Sequence, residues 1–351
     1  MNKKSILIAI LNWNGSNDTI ECCNSLSKLV NIKDFNFLFL ILDNASTSED
    51  FEFLKLNLPG FINGDIRSIS NGEVLLEQNE VIEAYTYDSG YFLLRSKVNH
   101  GFAKGCNIMA DLALNLEYDY IVFLNNDTVV EPDFLNKLIE GAVSLNADGV
   151  IPQIRFFHDK SLIWNCGGEI NKFGKRKYFF ANKSSSEVID RPFRVSFATG
   201  CCLMFKASYF RAIGRFSENF FFGEEDIELS LRLLKLKARL YCIPTSIIYH
   251  KVGASLSGNE ERALNKSYIH YLNRLINMKT HLGLLWFFWL IPATIKVFVN
   301  LIFINKISFI RALSFIRCIL SDAIALDSVT KNKFESTINN GFMFSYEEDR
   351  Q

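Results

Sequence analysis

Three strand-length apolar runs, each ending abruptly in a polar cluster, constrain this chain more than any other feature. Ser5 to Leu11 runs into Asn12-Trp13-Asn14-Gly15, Phe37 to Leu42 into Asp43-Asn44-Ala45-Ser46, and Tyr120 to Leu124 into Asn125-Asn126-Asp127. Runs this short and this apolar fit strands buried on both faces, which occur mainly in parallel sheets covered by helices. Between the first two, Thr19 to Val30 carries Ile20, Cys23, Leu26 and Leu29 at helical spacing, with Asn17 or Asp18 available as a cap. Strand, helix, strand is the βαβ pattern, and in open parallel sheets ligands gather where the strands end.

The pattern continues. A helix is expected from about Ala103 to Leu116, then the Tyr120 strand, then a second helix opened by Glu131-Pro132-Asp133, with proline at a tolerated first-turn position. Residues 59–95 have weak periodicity and read as an inserted loop or hairpin of structural rather than chemical use. From Val150 the chain changes to short strands and turns: Val150 to Phe157, Trp164 to Gly168, and Phe197 to Phe205. An acidic helix follows from Glu225 to Lys237, then strands at Arg239 to Ile243 and Ser246 to His250. The expected division is a domain over 1–260, with halves 1–150 and 151–260, and a helical tail over 261–351.

Bulk properties narrow the function. The 38 basic and 38 acidic residues balance, so no global field attracts nucleic acid. The eight cysteines include two adjacent pairs and no C-x-x-C, which fits reduced thiols used as small core residues in a cytoplasmic protein. Ile6 to Leu11 is too short for a signal-peptide core and reads as the first strand, so secretion is not expected. In the tail, Leu282 to Ile304 is long enough to span a membrane but contains Pro292, Lys296 and Asn300, and a central lysine costs about 2.5–3.5 kcal/mol on insertion scales. An anchor lying in the membrane plane is favoured over a span or a buried helix pair.

Three blocks carry the chemistry. Asp127 ends a buried strand and offers a hard oxygen ligand to a divalent cation. Glu224, Glu225 and Asp226 follow Phe220-Phe221-Phe222-Gly223; acids in a first helical turn also suit the helix dipole, and a carboxylate beside aromatic residues suits a general base. His250 ends a strand, and a neutral imidazole can ligate manganese.

With these motifs in this order, the chain resembles the family 2 glycosyltransferases of the GT-A fold, especially a bacterial, rhamnosyltransferase-like branch that builds surface polysaccharides. The resemblance covers about Ser5 to Ser257. It implies an α/β fold, a Rossmann-like mixed and mostly parallel sheet flanked by helices, followed here by the apolar helical tail. It also implies nucleotide-sugar contacts at Asn12, Trp13, Asn14, Asp43, Asn44 and Ser46. Further contacts are implied along Asn99, Gly101, Phe102, Ala103, Gly105 and Asn107, and at Asn125 and Asn126. Asp127 and His250 take the metal positions, Glu225 and Asp226 the base motif, and Trp164, Thr199 and Gly200 the acceptor side. Asn125 stands where the metal motif has its first acid, and Glu228 where an Asp is commoner after the base.

The implied reaction is inverting transfer from a nucleotide-diphosphate sugar, dTDP-rhamnose or a UDP-sugar, to a hydroxyl of a glycan or lipid-linked acceptor, with Mg or Mn as cofactor. The implied place is the cytoplasmic face of the cell membrane, peripherally bound through the tail, with oligomerisation left open. A sugar nucleotidyltransferase should carry a glycine-rich basic loop after the first strand, where this chain has Asn12-Trp13-Asn14-Gly15-Ser16. A non-catalytic sugar-binding module would keep the fold without needing Asp226 and His250.

Overall fold

A computed structural model of the chain describes residues 3–30, 35–59, 67–68, 81–86, 90–252 and 260–343. Its strands are β1 (Lys4–Asn12), β2 (Phe35–Asp43), β3 (Arg67–Ser68), β4 (Val81–Thr86), β5 (Tyr91–Ser96), β6 (Tyr120–Asn125) and β7 (Thr128–Val130). The second half adds β8 (Gly149–Phe156), β9 (Ile163–Asn165), β10 (Gly168–Ile170), β11 (Arg176–Tyr178), β12 (Phe193–Arg194), β13 (Cys202–Lys206) and β14 (Leu240–His250). The helices are α1 (Ser16–Leu26), α2 (Ser48–Asn57), α3 (Gly101–Asn115), α4 (Phe134–Ser144), α5 (Ala207–Ala212) and α6 (Glu225–Lys235), followed by α7 (Glu260–Leu282), α8 (Trp286–Phe303), α9 (Phe309–Ala325) and α10 (Lys331–Asn340).

Twelve strands form one mixed sheet in the order β12-β14-β8-β13-β6-β1-β2-β5-β4-β3, with β7 on β14 and β9 on β8. Its centre, β6-β1-β2-β5, is parallel. Asn12 lies opposite Asp43, and Leu11 opposite Asn125. The polar clusters that end these strands are thereby brought to one edge, as the α/β pattern predicts. The alternation of β1 explains the layering. Ile6, Ile8 and Ile10 pack under α1, α2 and α4, whereas Leu7 and Ala9 face α3, α5 and α6.

Local boundaries differ for identifiable reasons. Helix α1 starts earlier than expected, after Gly15, so Asn17 and Asp18 lie in its first turn and cap nothing. The two strands expected on either side of Pro244 are one, β14, which follows β8 with a register break between Ile243 and Ile247. Proline lacks the N–H a ladder needs, and an irregularity absorbs it. Among the described residues the tail folds as four helices. A third core joins α7, α8, α9 and α10 to Ile227 and Leu231 of α6 and to Ile170 and Phe197.

Candidate active site

The strand ends form a closed hydrogen-bond network. Asn12, fully buried, donates from Nδ2 to Asp43 Oδ1 at 2.9 Å and to Ser46 Oγ at 3.2 Å, and its Oδ1 accepts from Thr19 at 2.8 Å. Burial raises the pKa of Asp43, against the pull of the hydrogen bonds from Ser46 and Asn12. Asn44 donates to Asn99 Oδ1 at 3.0 Å and to the Gly101 carbonyl at 3.1 Å, and accepts from the His100 N–H at 2.9 Å. Asn14, in the left-handed region, accepts from the Thr47 N–H, and its own N–H donates to Ser46 Oγ. Trp13 stands out of this network, 58% exposed.

The Asn99–Asn107 segment divides by role. Gly101 has φ +77°, and a Cβ there would fall 2.1 Å from the Phe221 carbonyl, so only glycine fits. The same carbonyl accepts from the Phe102 N–H, which ties the start of α3 to the loop before α6. Ala103 and Gly105 are spacing residues; a Cβ on Gly105 would lie 2.6 Å from Leu11. Asn107 is buried, with its amide held by the Phe216 backbone and Glu218, so it joins α3 to the 216–218 turn.

After β6, Asn125 pairs through its backbone with Cys201, and Asn126 donates to Thr19 and to the Gly15 carbonyl. Asp127 and His250 meet across the β7–β14 junction, with His250 Nε2 3.1 Å from Asp127 Oδ2. Asp127 Oδ1 and His250 Nδ1 are buried without a hydrogen-bond partner. Trp164, expected on the acceptor side, packs edge-on against the His250 ring with centroids 4.4 Å apart. An orphan carboxylate oxygen beside an imidazole fits one face of a hard cation that takes its other ligands from phosphate and water. Among the described residues, no three His, Cys, Asp or Glu side chains gather into a fuller cage.

The base motif is built on strain. Gly223 (φ +85°) and Glu224 (φ +76°) are both left-handed, and they turn the chain so that α6 starts with Glu225 and Asp226. Burial, then the neighbouring Asp226 charge, raises Glu225 to about 8. Burial, then the Glu224 charge, raises Asp226 to about 6, while Arg176 and the N–H groups of Ile227 and Gly200 pull it down. Thr199, beside Gly200, is buried and accepts from the Cys201 N–H. Glu228 pairs with Arg232, which also holds the carbonyls of Ile213 and Arg215, so it braces α6.

What holds this turn comes from α7, which the sequence reading did not connect to the site. Arg274 and Asn277 donate to Glu224 Oε1 at 2.8 and 2.9 Å, and Asn273 donates to the carbonyls of Phe222 and Gly223. The Glu224 side chain is only 1% exposed. The signal was present in sequence as Asn273, Arg274 and Asn277 set into a stripe of Leu272, Leu275 and Ile276. Arg176 on β11 was likewise unassigned.

Residues 77–214 match the family model described as Glycosyl transferase family 2. No curated protein sequence matches the chain. Among solved structures, it superimposes on GalNAc-T7 with UDP, GalNAc and Mn2+ at 14% identity and a TM-score of 0.55, over 99% of this chain and 56% of that one. The chain therefore spans little more than half the length of that relative. A mannosyltransferase from Pyrobaculum calidifontis with GDP-Man and Mn2+ aligns at 12% identity and TM-score 0.48, over 98% and 86% of the two chains. S. aureus TarS 1-349 aligns at 12% and 0.48, over 99% and 91%. The matched segment contains the Asn99–Asn107 run, Asn125 to Asp127, Thr199 and Gly200, and the sheet sets them beside Asn12 and Asp43: residues 77–214 are similar to glycosyl transferase family 2, and the chain has the GT-A fold.

Proposed function

We propose that this glycosyltransferase acts by a single inverting displacement, moving a sugar from a nucleotide-diphosphate donor to an acceptor hydroxyl with Asp226 as the base. One observation carries the reading. The segment Thr199–Cys201 touches both halves: a Cβ on Gly200 would lie 3.9 Å from the Asp226 Cβ, and the Cys201 carbonyl accepts from the Asn125 N–H. A base and the residues beside the Asp127–His250 pair are thus held by neighbouring residues of one segment, as a displacement between donor and acceptor requires.

The protonation states support these roles. Near neutral pH Asp226, at about 6, is ionised and can accept the hydroxyl proton, whereas Glu225, at about 8, holds its own. Asp127 and His250 would hold a Mg or Mn ion, which supplies charge neutralisation for the departing diphosphate. The buried network of Asn12, Asp43, Ser46 and Asn44 sets the floor on which the nucleotide lies, and Trp13 at its mouth offers a ring face. Turnover measured over a panel of nucleotide sugars, with and without manganese, tests this. Asp226→Asn should lose roughly 10²- to 10⁴-fold in kcat with donor affinity kept; normal turnover by that variant rejects the assignment.

The tail supports a place at a membrane surface. Helices α7 and α8 form one stretch, Glu260–Phe303, long and apolar enough by length and composition to cross a membrane. One face of α8, Trp286, Leu290, Val297 and Leu301, is buried in the tail core. The opposite face exposes Phe288, Ile291, Ile295 and Val299, with Lys296 exposed at its margin. A helix with one face spent on its own protein has one face left for lipid, which favours lying in the interface with the lysine reaching the headgroups. We therefore place the enzyme peripherally on the cytoplasmic leaflet, acting on a glycan or lipid-linked acceptor for surface polysaccharide. The double variant Phe288→Asp, Ile295→Asp should stay folded and leave phosphatidylcholine–phosphatidylglycerol vesicles; undiminished vesicle binding rejects the placement.

A further inference from the structure

Between Leu282 and Asp322 the chain carries Lys296, Lys306, Arg311 and Arg317 and no acid at all, although its acids and bases balance overall. This stretch is the hairpin of α8 and α9. Its turn is held by the Asn305 and Ile307 N–H groups, which donate to the carbonyls of Asn300 at 3.0 Å and Leu301 at 2.9 Å, with Lys306 between them in the left-handed region. The rings of Phe298 and Phe309 close it edge-on, 5.5 Å apart. Around this built turn Phe303, Ile304, Phe309 and Ile310 are 62% to 78% exposed. On α9, Ile310, Leu313, Arg317 and Ile324 follow one another at spacings of three, four and seven residues and are all exposed, so they share one face. The other face, with Ala312, Phe315 and Ile319, lies in the tail core.

The cations are set among these apolar residues rather than apart from them. Lys296 follows the exposed Ile295, Lys306 lies between Ile304 and Phe309, and Arg317 lies between Leu313 and Ile324. Arg311 pairs with Glu261 at the start of α7, whereas no ion pair among the described residues holds Lys296, Lys306 or Arg317. A protein partner covering this surface would have to strip water from three unpaired cations, a cost that close carboxylates alone could offset. A lipid interface removes that conflict. The aliphatic stems lie along the acyl boundary while the charged heads stay among hydrated phosphates. Cations without acids among them also make a negatively charged surface more favourable than a neutral one.

We infer that the α8–α9 hairpin binds anionic phospholipid, with the turn residues Phe303 to Ile310 entering the acyl boundary and Lys296, Lys306 and Arg317 contacting the headgroups. This rests on the membrane-surface placement above and names the lipid class that the placement leaves open.

Flotation of the full-length protein with two kinds of vesicle tests it: phosphatidylcholine alone, and phosphatidylcholine with one quarter phosphatidylglycerol. Binding to the anionic vesicles should be the tighter. It should weaken as salt is raised from about 0.1 M to about 1 M, where the screening length falls from about 10 Å to about 3 Å. The double variant Lys306→Gln, Arg317→Gln should lose about 25-fold on anionic vesicles, about fivefold for each cation, with no loss on neutral ones. Lys28→Gln with Lys97→Gln makes the same charge change at exposed positions outside the tail and should bind as the unmodified protein does. Equal affinity for the two vesicles, or binding indifferent to salt, overturns the inference and leaves the membrane-surface placement standing; both are read on the unmodified protein, so they decide even if the hairpin variant fails to fold. An equal loss in the Lys28 and Lys97 variant overturns it as well, because net charge rather than the hairpin would then govern binding. No binding to either vesicle removes the placement and the inference together, and a concentration-dependent dimer in that case gives the apolar face to a second copy of the chain.

Discussion

On the donor side, Asn12, Asp43, Asn44, Ser46 and Asn126 hydrogen-bond within the sheet edge that carries them. On the base side, Glu224 and Glu225 each keep a buried oxygen without a partner, and the turn that presents them has two successive left-handed residues. The first region is self-supporting; the second is held in place by α7, about 50 residues downstream. Hydrogen-bond saturation gives a rigid floor, whereas on the strained turn burial raises the proton affinity of Glu225 and Asp226.

The largest test of this contrast is Arg274→Ala. It removes the cation from a buried carboxylate, so unfolding should become easier by about 3–5 kcal/mol in urea. In the protein that remains folded, kcat should fall while donor affinity holds, because the base loop is displaced and the strand ends are not. Equal losses of kcat and donor affinity would mean that the two regions are one unit. Asn12→Ala is the mirror experiment. It leaves the buried Asp43 Oδ1 without its Asn12 donor, at about 2 kcal/mol, and should abolish donor binding without shifting the pH profile of whatever turnover survives.

The same contrast decides what could be read from the sequence. The strand ends were legible because a parallel sheet writes them twice, as an apolar run and as the polar cluster that stops it; the register Asn12–Asp43 follows from that pattern alone. The base motif was legible as a motif, Glu225-Asp226 after a Phe-rich run. Its support was not, because Arg274 and Asn277 reach Glu224 across a sequence gap that no local periodicity reports. Trp164 illustrates the same limit: a single aromatic in a short strand gives no sign of the histidine ring it packs against, here His250 on β14. The tail shows how composition can mislead. Asp322, an acid within the apolar sequence of α9, accepts from Tyr268 at 2.6 Å and pairs with Lys333 at 2.9 Å inside the helical bundle.

The smallest expected effect is also the most specific. Burial first and the Glu224 charge second raise Asp226 to about 6, with Arg176 and the N–H groups of Ile227 and Gly200 opposing them and Glu225 alongside. If ionised Asp226 is the base, kcat should fall as pH drops through about 6. Glu224→Gln removes a negative neighbour, so Asp226 ionises more readily and the acid limb should move down by about one pH unit or less. Arg176→Gln removes a positive neighbour and should move the limb up. The stability change follows the same sign. A carboxyl whose folded pKa is raised stabilises the fold below its unfolded value near 4, and that contribution is lost as pH rises through about 6. Glu224→Gln should therefore flatten the decline in Tm between pH 4 and 6, whereas Asn12→Ala should lower Tm uniformly across that window. Limbs that move together in Glu224→Gln and Arg176→Gln would show that the loop's geometry, not its charges, sets the base.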